Sequence, residues 1–155
     1  MSKTWIKIFA AFFYLGYFPV APGTLASLLG MGLSLLLGKS PAWYVGVALV
    51  VLLLGFGTAG KMEKIAGEKD PSCVVIDEVA GSLVAFFLLP QTAPVLVTTF
   101  FLFRAFDMFK IYPINRCEAF PGSVGIMTDD LVAGFYTNIT MQMAIRLAGL
   151  PADWI

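Results

Sequence analysis

The sequence predicts an all-α fold, a small polytopic membrane bundle of about five apolar helices preceded by a short N-terminal helix. Three observations predict it. Of 155 residues, 59% are hydrophobic and 13% charged, and mean hydropathy is +0.85, whereas a soluble domain has about a quarter of its residues charged. Apolar stretches approaching the roughly 20 residues needed to cross a bilayer recur along the chain. The breaks between them carry proline, glycine and lysine, which end helices and face water. Length favours one domain over residues 1–155.

The first residues, Met-Ser-Lys-Thr-Trp-Ile-Lys, give a basic start, followed by an apolar run from Ile8 to Leu15. Gly16-Tyr17-Phe18-Pro19 then supplies an aromatic-proline break where a cleaved signal would carry a small-x-small site, so a retained short helix is expected. Thr24 to Gly38 is apolar and glycine-rich, and Gly38-Lys39-Ser40-Pro41 turns into the clearest span, Ala42 to Gly60. Trp43-Tyr44 head that span as interfacial aromatics, and Lys61 follows it. Cys73 to Leu89 and Thr92 to Phe109 form a second hairpin, broken at Pro90-Gln91. Leu131 to Leu150 is the last apolar stretch. Several of these are short, so close packing, tilt or bilayer thinning has to absorb the mismatch. Gly30 with Ser34, Gly55 with Ala59, and Ala80 with Gly81 offer the small faces that close packing in lipid requires.

Lysine and arginine set the expected topology. Lys3 and Lys7 precede the first span, Lys61, Lys64 and Lys69 follow the second, and Lys110 and Arg116 follow the fourth. Five crossings with the N-terminus inside fit this pattern and leave Asp153 and Trp154 outside; Arg146 is the awkward charge. The segments Lys61–Glu78 and Arg104–Asp130 then share one face. Together they hold nine of the ten acidic residues, all but Asp153.

Composition also excludes. Formal net charge is zero, so no basic field suits nucleic acid, and no protein partner is expected. Histidine is absent, which removes the commonest general base and metal ligand. Cys73 and Cys117 lie far apart, without zinc-site spacing, and are expected unpaired.

Three constellations remain. In Asp70-Pro71-Ser72-Cys73-Val74-Val75-Ile76-Asp77-Glu78, the first two residues read as a turn or helix start, and Asp77-Glu78 sit just inside an apolar helix. Adjacent carboxylates there are costly unless paired, wet or metal-bound; snorkelling to headgroups or pairing with Arg104 is the plain alternative. In Arg104-Ala105-Phe106-Asp107-Met108-Phe109-Lys110, three-residue steps place Arg104, Asp107 and Lys110 on neighbouring helix positions. That spacing fits an ion-pair ladder, and equally a metal ligand flanked by two phosphate-holding cations. In Gly122-Ser123-Val124-Gly125-Ile126-Met127-Thr128-Asp129-Asp130, the glycines read as a flexible turn, with Thr128 or Asp129 capping the final helix. Capping leaves one of the two acids unexplained.

Asp70, Asp77, Glu78, Asp107, Asp129 and Asp130 make an oxygen-only set, which suits Mg²⁺. Pro22-Gly23-Thr24 opens the first span at the same face, where backbone N–H groups can receive a phosphate; an ordinary helix entry explains it as well. Other phosphate-cleaving chemistries fail on the sequence. Cys73 and Cys117 are followed six residues on by Val79 and Ser123, so neither forms a C-x₅-R loop, and no D-x-D occurs. Water activated by a metal, with a carboxylate taking its proton, is what remains. A small ion transporter or a non-catalytic scaffold are the alternatives; a transporter favours mid-span acids, and a scaffold needs no cluster.

The chain resembles the phosphatidylglycerophosphatase A family of bacterial lipid phosphatases. The matching residues are Gly16-Tyr17-Phe18-Pro19, Ala21-Pro22-Gly23-Thr24, Asp70-Pro71, Val75-Ile76-Asp77-Glu78-Val79, Phe103-Arg104, Phe106-Asp107, Lys110, Pro113-Ile114, Gly125-Ile126-Met127, Asp129-Asp130 and Ala133-Gly134. The resemblance implies an all-helical fold in the bacterial inner membrane, with its active site on the cytoplasmic face. It also implies Mg²⁺-dependent conversion of phosphatidylglycerophosphate to phosphatidylglycerol, the cardiolipin precursor, and phosphate. Carried over, it makes Asp77, Asp107, Asp129 and Asp130 catalytic, and Asp70, Asp77, Glu78, Asp107, Asp129 and Asp130 metal ligands. Arg104 and Lys110, with Gly23 and Thr24, would hold substrate phosphate. Ile111 stands where the family usually has Pro, Ala26 where it has Gly, and Pro121-Gly122 where it has Gly-Gly; no charged group is lost.

Overall fold

The computed structural model describes residues 2–117 and 119–149 and contains, among them, seven α-helices and no strand. They are α1 (Lys3–Ala10), α2 (Pro22–Leu37), α3 (Pro41–Ala66), α4 (Ile76–Phe86), α5 (Ala93–Phe109), α6 (Ile114–Cys117) and α7 (Ser123–Leu147). A 3₁₀ turn covers Leu15–Tyr17. Proline stands in the first two positions of α2, α3 and α5, where its missing N–H costs nothing. Gly67, at φ 76°, ends α3, and Gly122, at φ 62°, precedes α7. Both are left-handed positions that glycine takes without penalty.

The long helices alternate in direction around α4. Gly60 near the end of α3 donates its N–H to Ser123 Oγ at the start of α7, 2.7 Å away. At the opposite end, Tyr44 in the first turn of α3 donates its hydroxyl to the Leu83 carbonyl late in α4, at 2.7 Å. So α2, α4 and α7 begin at one end of the bundle, and α3 and α5 finish there. α4 is the core: Ile76, Asp77, Val79 to Leu83, Ala85 and Phe86 are all buried. It crosses α7 with backbones almost touching. A side chain on Gly134 would strike the Gly81 carbonyl oxygen, and one on Gly81 would lie 2.6 Å from that of Asp130. The small faces expected at Gly30, Gly55 and Gly81 are used this way, against Ser82, Met127 and the Asp130 backbone.

Two expected spans differ. Cys73 to Leu89 reduces to the 11 residues of α4, about 16 Å at 1.5 Å per residue, against a hydrocarbon core about 30 Å thick. A turn closed by Val74 N–H to the Pro71 carbonyl precedes it, and Leu88, left-handed at φ 52°, follows it. Asp70-Pro71 therefore belongs to a turn and starts no helix. The last helix begins at Ser123 rather than Leu131, so Gly125 lies inside it and neither Thr128 nor Asp129 caps it. The left-handed Gly122 makes the turn instead. The expectations for Leu150, Asp153 and Trp154 lie outside the described residues.

Among the described residues one helix, α3, is long and apolar enough to cross a membrane; α2 is apolar but shorter. The outward faces of α2, α3, α5 and α7 are greasy, with Leu36, Trp43, Leu53, Phe101, Phe135 and Leu147 all exposed. A water-soluble monomer rarely carries so extensive an apolar surface.

Candidate phosphate and metal site

All ten residues singled out from the sequence line one cavity of about 500 Å³. It sits where α2, α4 and α7 begin and α5 ends. Ala21, left-handed at φ 46°, swings the chain into α2, and Pro22, Gly23 and Thr24 form one wall. Gly23 leaves room for its neighbours: a side chain there would push Glu78 Oε1 aside and lie 3.6 Å from Arg104 Nη2. The first N–H groups of a helix have no acceptor within it, and no side chain caps those of α2.

Asp77 and Glu78 occupy the first turn of α4, beside the positive end of the helix dipole. The wall made by α5 and its end carries Arg104, Asp107 and Lys110. Arg104 Nη1 donates to Asp107 Oδ2 at 2.6 Å and to Ser27 Oγ at 3.3 Å. The three-residue ladder stops there. Lys110 is left-handed, at φ 42°, which turns it off the helix, and its ammonium meets Asp129 Oδ2 at 2.8 Å. Asp70 lies exposed at the rim on a left-handed residue.

The acids fall into two groups. Asp107 and Asp129 each hold a cation. Asp77, Glu78 and Asp130 bring carboxylate oxygens within 4.8 Å of one another, and Asp77 Oδ1, Glu78 Oε2 and Asp130 Oδ2 are buried with no hydrogen-bond partner. Buried charge without a partner is strongly disfavoured. A hard divalent cation would satisfy all three oxygens at once, so the donor set fits such an ion. Arg104 Nε is likewise buried without a partner, a spare donor beside the same cavity.

Asp129 is paired with the Lys110 ammonium, whereas Asp130 is buried and keeps an oxygen without a partner. Asp130 is thus the more costly charge to keep without a cation.

Sequence reasoning missed Ser27. It is fully buried, donates to the Gly23 carbonyl at 2.9 Å, and accepts from Arg104, joining the α2 wall to the guanidinium. A hydroxyl one turn beyond Gly23 in a largely apolar helix was the available signal.

Such a cavity defines a class: an all-helical protein in which a carboxylate cluster that could hold a metal ion lies beside an arginine and a lysine. The family model described as Phosphatidylglycerophosphatase A matches residues 8–145. The chain belongs to that family, and is a phosphatase of it. A Bacteroides thetaiotaomicron protein provisionally named a phosphatidylinositol-3-phosphatase is 38% identical over 143 residues, covering 86% of this chain and 89% of its own. Phosphatidylglycerophosphatase A of Escherichia coli is 33% identical over 138 residues, with 86% and 79% covered. The Haemophilus influenzae protein of that name is 31% identical over 140 residues, with 88% and 86% covered. No solved structure matches the chain.

Proposed function

We propose that the protein is a Mg²⁺-dependent lipid phosphomonoesterase that converts phosphatidylglycerophosphate to phosphatidylglycerol and inorganic phosphate. The observation that carries this reading is the pairing, in one cavity, of three unpartnered carboxylate oxygens with the unpartnered Arg104 Nε. Family membership and the names of two relatives support the substrate.

Asp77, Glu78 and Asp130 would hold the ion, with Asp70, Asp107 and Asp129 within the same cavity. When bound, Mg²⁺ supplies positive charge that stabilises the phosphoryl oxygens and lowers the pKa of water. Arg104 and Lys110 bind the remaining phosphate oxygens, and the α2 N-terminus adds backbone donors at Gly23 and Thr24. As those cations turn to phosphate, Asp107 and Asp129 are released from their ion pairs beside the reacting centre. One of them takes the proton of the attacking water. The new P–O bond forms to that water, the bond from phosphorus to the glycerol oxygen breaks, and the leaving alkoxide takes up the proton that the carboxylate accepted from the water.

The Bacteroides relative favours a second substrate, phosphatidylinositol 3-phosphate. Both lipids present a phosphate monoester on a headgroup, so phosphate release from each at equal surface concentration separates them. We expect phosphatidylglycerophosphate to be preferred by about tenfold or more in kcat/KM, because headgroup groups left without a partner are rejected at least that strongly. The reverse order would transfer the assignment to the inositol lipid, and no release from either would remove the phosphatase reading.

The reading also places the protein in the cytoplasmic membrane as a multi-pass bundle with the site facing inward. Lysine placement, the exposed apolar faces and α3 support it. The check uses a background of Cys73→Ser and Cys117→Ser. A membrane-impermeant thiol reagent should label Lys39→Cys, exposed at the far end, in intact cells. Glu68→Cys, exposed beside the site, should label only after the cells are opened. Labelling of Glu68→Cys from outside would invert the orientation.

A further inference from the structure

Two exposed apolar segments flank the cavity and take no part in its chemistry. One is Tyr17, Phe18 and Val20, which run directly into the Ala21-Pro22-Gly23 wall; Phe18 is 53% and Val20 67% exposed. The other surrounds the cavity residue Lys110, with Met108 70%, Phe109 79% and Tyr112 67% exposed. Exposed aromatics this numerous, beside a polar cavity, are unfavourable in water.

The first segment is held in place by its backbone. Val75 N–H donates to the Ala10 carbonyl at 3.0 Å, and Gly16 packs so tightly on the Cys73 carbonyl that no side chain would fit. The first contact ties the end of α1, and the second ties the segment itself, to the loop that carries Asp70 and leads to Asp77. The second segment turns on the left-handed Lys110. Charge points to the occupant. Neither 12–20 nor 108–117 contains an acid, and the exposed Arg116 is basic, while the Lys110 ammonium turns inward to Asp129. The Arg116 guanidinium lies 5.1 Å from the centre of the Tyr112 ring. Aromatics mixed with cations suit the boundary between anionic headgroups and acyl chains.

We propose that these two segments form a lip seated in the headgroup–acyl boundary of an anionic lipid leaflet. The lip brings the phosphate of a membrane-resident lipid between Phe18 and Phe109 into the cavity while its acyl chains stay in the leaflet. The proposal rests on the lipid phosphatase reading and adds the surface by which that site meets its substrate.

The test has two arms on the full chain reconstituted in vesicles of phosphatidylcholine with phosphatidylglycerol. In the Cys73→Ser, Cys117→Ser background, a bimane fluorophore is attached to Phe18→Cys, Phe109→Cys or, as control, Glu68→Cys. Lipids brominated high in the acyl chain should quench the first two by roughly half or more, since interfacial groups sit about 5–10 Å into the boundary. The control should stay bright. In the second arm, Phe18→Ser with Phe109→Ser should raise the apparent KM for long-chain substrate about tenfold, as two aromatics lose their apolar phase. Saturated kcat and thermal stability should hold, whereas a structural role would lower both. Bright lip probes in a protein that turns over lipid would overturn the proposal. So would disulfide-linked dimers through Phe109→Cys, which would assign the lip to a second copy of the chain. Quenched probes in a protein that hydrolyses no lipid would leave the lip standing and remove the phosphatase reading.

Discussion

Single replacement of Asp77, Asp107, Asp129 or Asp130 by Asn is expected to cut turnover by at least about a hundredfold, since general-base assistance alone is worth roughly 10²–10⁴. The structure divides the four by what they do to stability. Asp77 and Asp130 each keep a buried oxygen without a partner and bring carboxylate oxygens within 4.8 Å of one another, so in metal-free protein each is a source of repulsion. Neutralising either should leave the melting temperature unchanged or raise it. Asp107 and Asp129 accept charge-assisted hydrogen bonds from Arg104 and Lys110. Losing either should lower stability by about 1–2 kcal/mol, toward the low end for bonds to charged groups because neither pair is fully shielded. Phosphate release and thermal melting are measured on the same detergent-solubilised samples, with Glu68→Gln, an exposed residue outside the cavity, as control. Four Asn variants that melt earlier yet turn over at the parental rate would make the cluster a structural ion-pair network and end the catalytic assignment.

Much of this site was legible because apolar stretches and prolines fix where helices begin, and charge placement fixes which ends share a face. Asp77, Asp107 and Asp130 are separated by 30 and 23 positions, yet they had to meet once α4, α5 and α7 alternated in direction. What stayed hidden turns on single backbone angles. Phe87, extended at ψ 127°, ends α4 early and Leu88 turns left-handed after it at φ 52°, and nothing in Phe-Phe-Leu-Leu announces either angle. Lys110 at φ 42° carries its ammonium away from Asp107 to Asp129, so a ladder drawn on an ideal helix gives Lys110 the wrong partner. The start of α7 was misplaced because Gly122 and Gly125 look alike in sequence. Only Gly122 has the positive φ of a turn, while Gly125 is a buried helix residue. Ser27 escaped because its part depends on Arg104 reaching across from α5, a contact no local pattern encodes.

Withdrawing divalent cations should abolish turnover and, independently, destabilise the fold. The argument starts from burial. Asp77 and Asp130 are 6% and 3% exposed, too little for water to solvate two adjacent negative charges, and no basic side chain is bonded to the oxygens they leave bare. An ion that binds the folded site and not the unfolded chain adds RT ln(1 + [L]/Kd) of stability, about 2.7 kcal/mol at a hundred times Kd. Melting should therefore fall in EDTA and climb with added Mg²⁺, and Mn²⁺ should substitute, since both accept an all-oxygen site. The dependence should flatten in Asp77→Asn and Asp130→Asn, which remove ligand charge. It should persist in Arg104→Gln, which removes a proposed phosphate donor but none of the unpartnered carboxylate oxygens. That contrast separates an ion bound by the carboxylates from one carried in with the substrate phosphate. An ion arriving with substrate would leave the melting of substrate-free protein indifferent to Mg²⁺. Full turnover in EDTA, with a melting temperature that ignores Mg²⁺, would mean that the three carboxylates share protons rather than a cation.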